Sequence, residues 1–341
     1  MVSVSVIIPC RNEETYIGRC LDSVLASEYP RDRLEILVAD GRSSDATRDV
    51  LARYAAEHPE IRVLDNARGT TPAGLNLAIL AATGEIIIRM DAHVLYPPDY
   101  IRQLVKGLQE SGADNVGGVL DTVPVDETPV AQAIAVGLSH RFGVGNSHFR
   151  VGAPEPREVD TVPFGCFRRE VFQRFGLFDE ELIRNQDDEF NFRLIAKGGR
   201  VLLIPHVRCQ YFARRSLGQL ARMYYQYGYF KPLVARKVGR VMTLRQLIPS
   251  LLVIGLFGSA LLGTWSLAAG VVFCGLAFTY SAMVLLCALS TAVTRGTMCG
   301  VALTAVFPIL HFSYGFGFLL GIRDHLFTRT APRPSALGLS R

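Results

Sequence analysis

Val4–Ser5–Val6–Ile7–Ile8–Pro9–Cys10–Arg11–Asn12–Glu13–Glu14 opens with a β-branched apolar run that ends at a proline and turns polar at once. A short apolar run bounded by a turn residue has the pattern of a buried strand. The theme repeats downstream. Glu14–Ala26 sets Ile17, Leu21, Val24 and Leu25 at helical spacing, Leu34–Ala39 is a second strand and Ser44–His58 a second helix. Ile61–Leu64 follows as a strand and Thr71–Ala82 as a helix, with Pro72 placed for its first turn, and Gly84–Met90 is a fourth strand. Strands alternating with helices of this length imply an α/β fold, a mostly parallel sheet flanked by helices. Ligands of such sheets bind beyond the carboxyl ends of the strands. The polar residues stand there: Asn12 and Glu13, then Asp40, then Asp91.

The second half is different. The 341 residues are 49% hydrophobic yet 20% charged, and the mean hydropathy is +0.24, which points to two unlike halves. No Asp, Glu, Lys or Arg occurs from Gln246 to Thr294, more than twice the roughly 20 residues of one bilayer crossing. Spans at about 247–264, 267–290 and 299–321 fit this region, since soluble helices ordinarily carry a polar face. Just before it, Arg208, Arg214, Arg215, Arg222, Lys231, Arg236, Lys237, Arg240 and Arg245 face no acidic residue between Pro205 and Gln246. A one-sign block beside an apolar run fits a bilayer with anionic headgroups. Nucleic acid is excluded as a partner, because no recognition helix, finger or aromatic RNA-binding signature accompanies the charge. Basic residues belong on the cytoplasmic side. Three spans conflict with this rule, since they place the tail with Arg323, Arg329, Arg333 and Arg341 outside; the alternative is that one segment is re-entrant or lies in the interface.

Seven scattered cysteines with no CxxC pair fit a reduced compartment and no zinc site. The N-terminus carries no basic region or cleavage pattern of a signal peptide. The expectation is a multi-pass protein of the cell membrane whose catalytic half is cytoplasmic. The expected division is 1–230 for that half, 231–246 for the basic juxtamembrane segment, 247–322 for the apolar helices and 323–341 for the tail.

Two clusters can carry chemistry. Asp91–Ala92–His93 directly follows a strand, where a carboxylate and an imidazole can face one divalent cation bound to a diphosphate. An Asp in that place also serves as a turn or cap residue. Asn185–Gln186–Asp187–Asp188–Glu189–Phe190 opens a helical segment. Three carboxylates there suit the helix dipole, and one of them could equally be a general base for an attacking hydroxyl. The Gly-rich stretch near 140–158 reads either as a closing loop or as an inert one.

Taken in order, these motifs resemble glycosyltransferase family 2, with its GT-A nucleotide-sugar-binding fold, over roughly residues 3–230. Within the family the chain is similar to bacterial exopolysaccharide enzymes of the succinoglycan-biosynthesis glucosyltransferase type. The resemblance implies that Pro9, Asn12 and Glu13 line the nucleoside pocket. It implies that Asp40, in Val38–Asp45, binds the base, by analogy uracil, and that Arg68, in the segment to Asn76, approaches the phosphates. Asp91–Ala92–His93 falls on the family's DxD metal motif, with His93 in place of the second carboxylate. Imidazole suits Mn²⁺ better than Mg²⁺, so either cation is expected. Gly165–Arg169 resembles the acceptor-side loop. Gln186–Phe190 with Arg193 fits ED-x-(D/E)-(L/F)-x-x-R, with Asp187 on the catalytic base and Asp188 as the second candidate. Arg214 is a candidate for the diphosphate or a lipid-linked acceptor. Arg222–Gly228 lacks the QxxRW of processive synthases, which implies one addition per encounter.

The resulting expectation is a metal-dependent inverting hexosyltransferase. It moves a sugar from a nucleotide-sugar donor, a UDP-sugar, to a hydroxyl of a polyprenyl-linked glycan in exopolysaccharide or cell-envelope synthesis. The alternatives are a polyprenyl-phosphate sugar synthase, whose phosphate acceptor needs no general base, and a non-catalytic membrane partner that keeps the fold. A transporter is disfavoured by the absence of intramembrane charge.

Overall fold

The computed structural model describes residues 1–240, 243–329 and 332–338. Positions 241–242 of the basic segment and Arg341 of the tail lie outside the described residues. The chain forms two compact units: Met1–Asp121 with His148–Tyr211, and Thr122–Ser147 with Phe212–Arg341. The boundary expected at residue 230 falls inside a helix of the second unit, Leu217–Val238.

The first unit is built on a mixed sheet. Its strands are β1 (Val4–Cys10), β2 (Leu34–Asp40), β3 (Ile61–Asp65), β4 (Ile86–Arg89), β5 (Val94–Leu95), β6 (Asn115–Val123), β7 (Arg157–Glu158), β8 (Cys166–Arg168) and β9 (Val201–Phe212). They run in the order β3-β2-β1-β4-β8-β6-β9-β5, with β7 also pairing β9. The pairs β1–β2, β1–β4 and β2–β3 are parallel, as the alternation of strand and helix requires. The pairs β4–β8, β6–β8, β5–β9 and β7–β9 are antiparallel. The first helices of this unit are α1 (Ile17–Leu25), α2 (Thr47–Glu57), α3 (Thr71–Ala81) and α4 (Tyr100–Ser111).

Successive side chains of a strand point to opposite faces, and β1 shows why its run is apolar throughout. Val4, Val6, Ile8 and Cys10 join one core with Ile17, Leu21 and Val24 of α1 and Tyr100 and Leu104 of α4. Ile7 joins the other core with Leu37, Ile87, and Leu75 and Ala78 of α3. A strand covered on both faces has no polar side to show.

The remaining shorter helices are α5 (Pro129–Ser139), α6 (Arg141–Val144), α7 (His148–Val151), α8 (Glu170–Phe175) and α9 (Gln186–Ala196), of which α7, α8 and α9 belong to the first unit. The stretch near 140–158 therefore contains two helical turns. The second unit holds α5, α6, α10 (Leu217–Val238), α11 (Ile248–Leu262), α12 (Leu267–Arg295) and α13 (Thr297–Gly321). Among the described residues, three segments are long and apolar enough to cross a membrane: Leu244–Leu262, Leu267–Arg295 and Thr297–Phe327.

Candidate active site

The loops after the parallel strands are pinned to one another. Gly41 N donates to the Cys10 carbonyl at 2.7 Å and Asn66 N to the Asp40 carbonyl at 2.9 Å. Asn12 has a left-handed backbone, φ 55°, which Asn tolerates better than most residues. Its N–H donates to Ser43 Oγ at 2.9 Å, and its Oδ1 accepts from Ser44 N at 2.8 Å. Arg11 Nη1 donates to the Gly69 carbonyl at 3.1 Å. Gly69 sits at φ +64°, the left-handed region that favours glycine, and a Cβ there would also push the Arg11 guanidinium aside at 2.8 Å.

Each candidate residue has a definite place in this frame. Pro9 pairs in register with Ala39, and Cys10 with Asp40, at the strands' carboxyl ends. Burial pushes the Cys10 thiol well above its ordinary range, with Glu13 and Asp40 adding to the shift, so this cysteine is inert. Asp40 is buried, accepts from Ser43 Oγ at 2.6 Å, and faces Arg48 Nε at 3.4 Å. Glu13 is buried and holds His93 Nδ1 at 2.9 Å through Oε1. A second-partner carboxylate of this kind fixes an imidazole's orientation. Arg68 is paired with Glu180, which also accepts from Asn76 Nδ2 at 2.9 Å. This ties the loop after β3 to the segment that precedes α9.

Arg89, at the end of β4, is the residue that sequence reasoning missed. Its Nε and Nη2 each lie 3.2 Å from Asp91 Oδ1, and its Nη1 is 3.7 Å from Asp187 Oδ2. One buried guanidinium thus gathers the strand-end aspartate and the helix-start aspartate. Burial opposes its charge, but Asp91 and Asp187 outweigh that cost and its pKa rises. Arg89 is a permanent cation. The signal was legible, since a lone cation in an otherwise apolar strand must find a carboxylate when buried.

Asp187 and Asp188 open α9, where Asp187 Oδ1 accepts from Asp188 N at 3.0 Å. The third carboxylate has other work. Glu189 is buried, and Arg193 reaches its two oxygens at 2.7 and 3.0 Å. Arg193 Nη2 also donates to the Leu177 carbonyl at 2.8 Å, and Nη1 to that of Phe175. The Arg of the motif therefore locks α9 to its preceding segment, with Asp187 and Asp188 in the helix's first turn. Gln186 itself is buried. Arg214 belongs to the second unit, where its buried Nε and Nη1 have no hydrogen-bond partner among the described residues.

Among the described residues no three His, Cys, Asp or Glu side chains converge on a ready metal cage. Cations at phosphate sites are commonly held by one or two carboxylates, with substrate phosphates completing the shell. The donors present fit that arrangement. Arg89 engages only Oδ1 of Asp91, and Glu13 orients the His93 ring through Nδ1.

A parallel half-sheet with acids at its carboxyl ends, continued by antiparallel strands and faced by a carboxylate-bearing helix, defines a GT-A-like α/β fold. The family model for "Glycosyl transferase family 2" matches residues 5–176. The chain is 32% identical to the succinoglycan biosynthesis protein ExoA of Rhizobium meliloti (strain 1021), over 72% of this chain and 73% of that one. It is 30% identical to a Methanococcus voltae enzyme, dolichyl N-acetyl-alpha-D-glucosaminyl phosphate 3-beta-D-2,3-diacetamido-2,3-dideoxy-beta-D-glucuronosyltransferase, over 69% and 74% of the two chains. Among solved structures, the mannosyltransferase PcManGT from Pyrobaculum calidifontis, in complex with GDP-Man and Mn²⁺, superposes with a TM-score of 0.58 at 22% identity. That match covers 96% of this chain and 88% of the other. The chain belongs to glycosyltransferase family 2.

Proposed function

We propose that this protein is an inverting glycosyltransferase that moves a hexose from a nucleotide sugar, a UDP-sugar, to a hydroxyl of a lipid-linked saccharide. The observation that carries the reading is the pair Asp91 and Asp187 sharing Arg89. In this reading Asp91 is the donor-side acid and Asp187 the acceptor-side acid, and both face one cation. In the reaction the acceptor oxygen attacks the anomeric carbon, and Asp187 takes the hydroxyl proton. The bond to the phosphate oxygen breaks on the opposite face, so the configuration inverts and a nucleoside diphosphate leaves. Arg89 holds Asp187 and Asp91 at fixed separation. Asp188 is the second candidate for the base.

A divalent cation, Mn²⁺ or Mg²⁺, would be held by Asp91 and His93 and would neutralise charge on the departing diphosphate. Pro9, Asn12, Glu13 and Asp40 are assigned to the nucleoside, and Arg68 to the phosphates, which requires it to leave Glu180. Arg214, a buried cation with two unpartnered nitrogens, is assigned to an anionic group of donor or acceptor. GDP-Man and Mn²⁺ in the Pyrobaculum enzyme support a nucleotide-sugar donor and a metal. The Methanococcus relative's name, which gives a dolichyl-phosphate-linked sugar as acceptor, supports a lipid-linked acceptor. The succinoglycan relative supports a role in exopolysaccharide or envelope glycan synthesis. In this reading the catalytic domain, about residues 1–230, works at the cytoplasmic face of the cell membrane. The basic segment 231–246 and the apolar helices hold it there.

The test is transfer from labelled nucleotide sugars by membranes containing the protein, with extraction of the lipid-linked product. Asp187→Asn should abolish transfer and leave donor binding intact. Normal turnover by that variant would overturn the assignment.

A further inference from the structure

Helices α10 and α13 lie side by side and run in the same direction. A Cβ on Gly228 would sit 2.1 Å from the Tyr314 carbonyl oxygen, one on Gly317 2.2 Å from that of Tyr225, and one on Gly321 2.2 Å from that of Tyr229. Residue numbers rise together along both helices. At the start, Leu220, Met223 and Tyr224 share a core with Leu303, Val306, Phe307 and Leu310. At the end, Tyr229 donates to Asp324 at 3.0 Å, and Arg236 to the His325 carbonyl at 2.6 Å. The tail then folds back: Asp324 accepts from Arg333, and Gln226 Nε2 donates to the Ala336 carbonyl at 3.2 Å. Buried residues occur along the whole of α13, from Cys299 to Gly321.

Helix α10 carries Arg222, Lys231, Arg236 and Lys237 along its length. Such a helix has no place in hydrocarbon, and α13 shares its depth. The α11–α12 hairpin is different. Its buried residues, Ser250, Val253 and Leu256 on one arm and Val284, Ala288 and Thr291 on the other, all lie near its base. From Phe257 to Thr279 no residue is buried, and Leu261, Leu262, Trp265, Leu267, Val271 and Phe278 are exposed. Arg245 precedes the first arm and Arg295 ends the second.

We infer that the α11–α12 hairpin is the only element of the described chain set into the bilayer. The chain returns to the face it left, and α13 is not a third crossing. The hydrocarbon of the bilayer covers the hairpin's exposed tip, and the arginines at both bases meet the headgroups. Tail residues Arg323, Arg329 and Arg333 then lie on the same face as the basic segment before α11, in agreement with the positive-inside rule. This resolves the conflict that three spans create. No candidate span precedes Leu244 among the described residues, so the N-terminus lies on that face too.

The test uses the full-length chain with one epitope tag at each end, in sealed membrane vesicles of both orientations. Protease should remove both tags from cytoplasmic-side-out vesicles and neither from vesicles of the opposite orientation. Tags cut in opposite preparations would make α13 a crossing and overturn the inference. A second measurement checks the occupant: the protein should stay in the membrane pellet after an alkaline carbonate wash. Full release would show that something other than the bilayer covers the hairpin.

Discussion

Replacing Arg89 by Met removes the charge and keeps much of the volume, so it isolates what the cation does. At the 3.7 Å between Arg89 and Asp187, the Coulomb attraction is about 1 kcal/mol at the dielectric of water and about 4.5 kcal/mol at an effective value near 20. The side chains of Asp91 and Asp187 are 18% and 27% exposed, which places the pair closer to the second limit. Removing one partner of a buried pair costs about 3–5 kcal/mol. Partial exposure puts Arg89→Met near the lower end, at about 3 kcal/mol. For a unit of this size that corresponds to a fall in Tm of roughly 6–12 °C. Asp187 also loses one of the contacts that position it, and a misplacement of about 1 Å costs roughly 100-fold in rate. Thermal unfolding and transfer from a labelled nucleotide sugar, both on detergent-purified protein, measure the two effects. Asp187→Asn in the Arg89→Met background should then cost less stability than it does alone, by at least about 1 kcal/mol, as expected for residues in contact. A variant that melts within about 1 °C of the parent and transfers at its rate would refute the shared-cation reading.

Three further outcomes follow from local geometry. Burial of Glu35 opposes its charge, but hydrogen bonds from Ser5, Thr83 and Gly84 outweigh it and hold its pKa below the ordinary value. Its contribution is therefore present above the unfolded value of about 4.3 and lost as pH falls through the lower folded value. Glu35→Gln should melt earlier than the parent at pH 7 and converge with it in acid. A constant difference across pH would contradict this. Gly317→Ala places a methyl 2.2 Å from the Tyr225 carbonyl oxygen, so it should lower stability by about 1–3 kcal/mol through overpacking, read as a lower Tm, whereas Gly218→Ala, with open space around its Cβ, meets no such clash. Chelation should stop transfer, and Mn²⁺ should restore it more effectively than Mg²⁺, a preference that His93→Asp should weaken. Full activity in excess chelator would remove the metal from the reaction.

The parallel half of the sheet was legible because strands covered on both faces are written as unbroken apolar runs. β1, β2 and β4 fall within a few residues of the expected bounds. The antiparallel half was harder, and for two different reasons. β8 has only three residues, too few for any periodic signal. β9, by contrast, alternates buried Val207, Cys209 and Tyr211 with exposed Arg208 and Gln210. That period of two was available, but the same residues begin the basic block, and counting their charge hid their alternation. The site divides along the same line. Acids at strand ends follow from local sequence, so Asp40 and Asp91 could be placed before any coordinates. Which acids share a partner depends on strands and helices distant in the chain: Arg89 and Asp187 are joined only because β8 docks beside β4 and Arg193 locks α9 in place. A polar residue in an apolar strand carries information about a contact that the strand itself does not contain. Arg89 in Ile86–Ile87–Ile88–Arg89 is such a residue: burying a guanidinium without a carboxylate is too costly to persist, so the strand requires a distant acid. Asp187, whose Oδ2 lies 3.7 Å from Nη1, is one such acid.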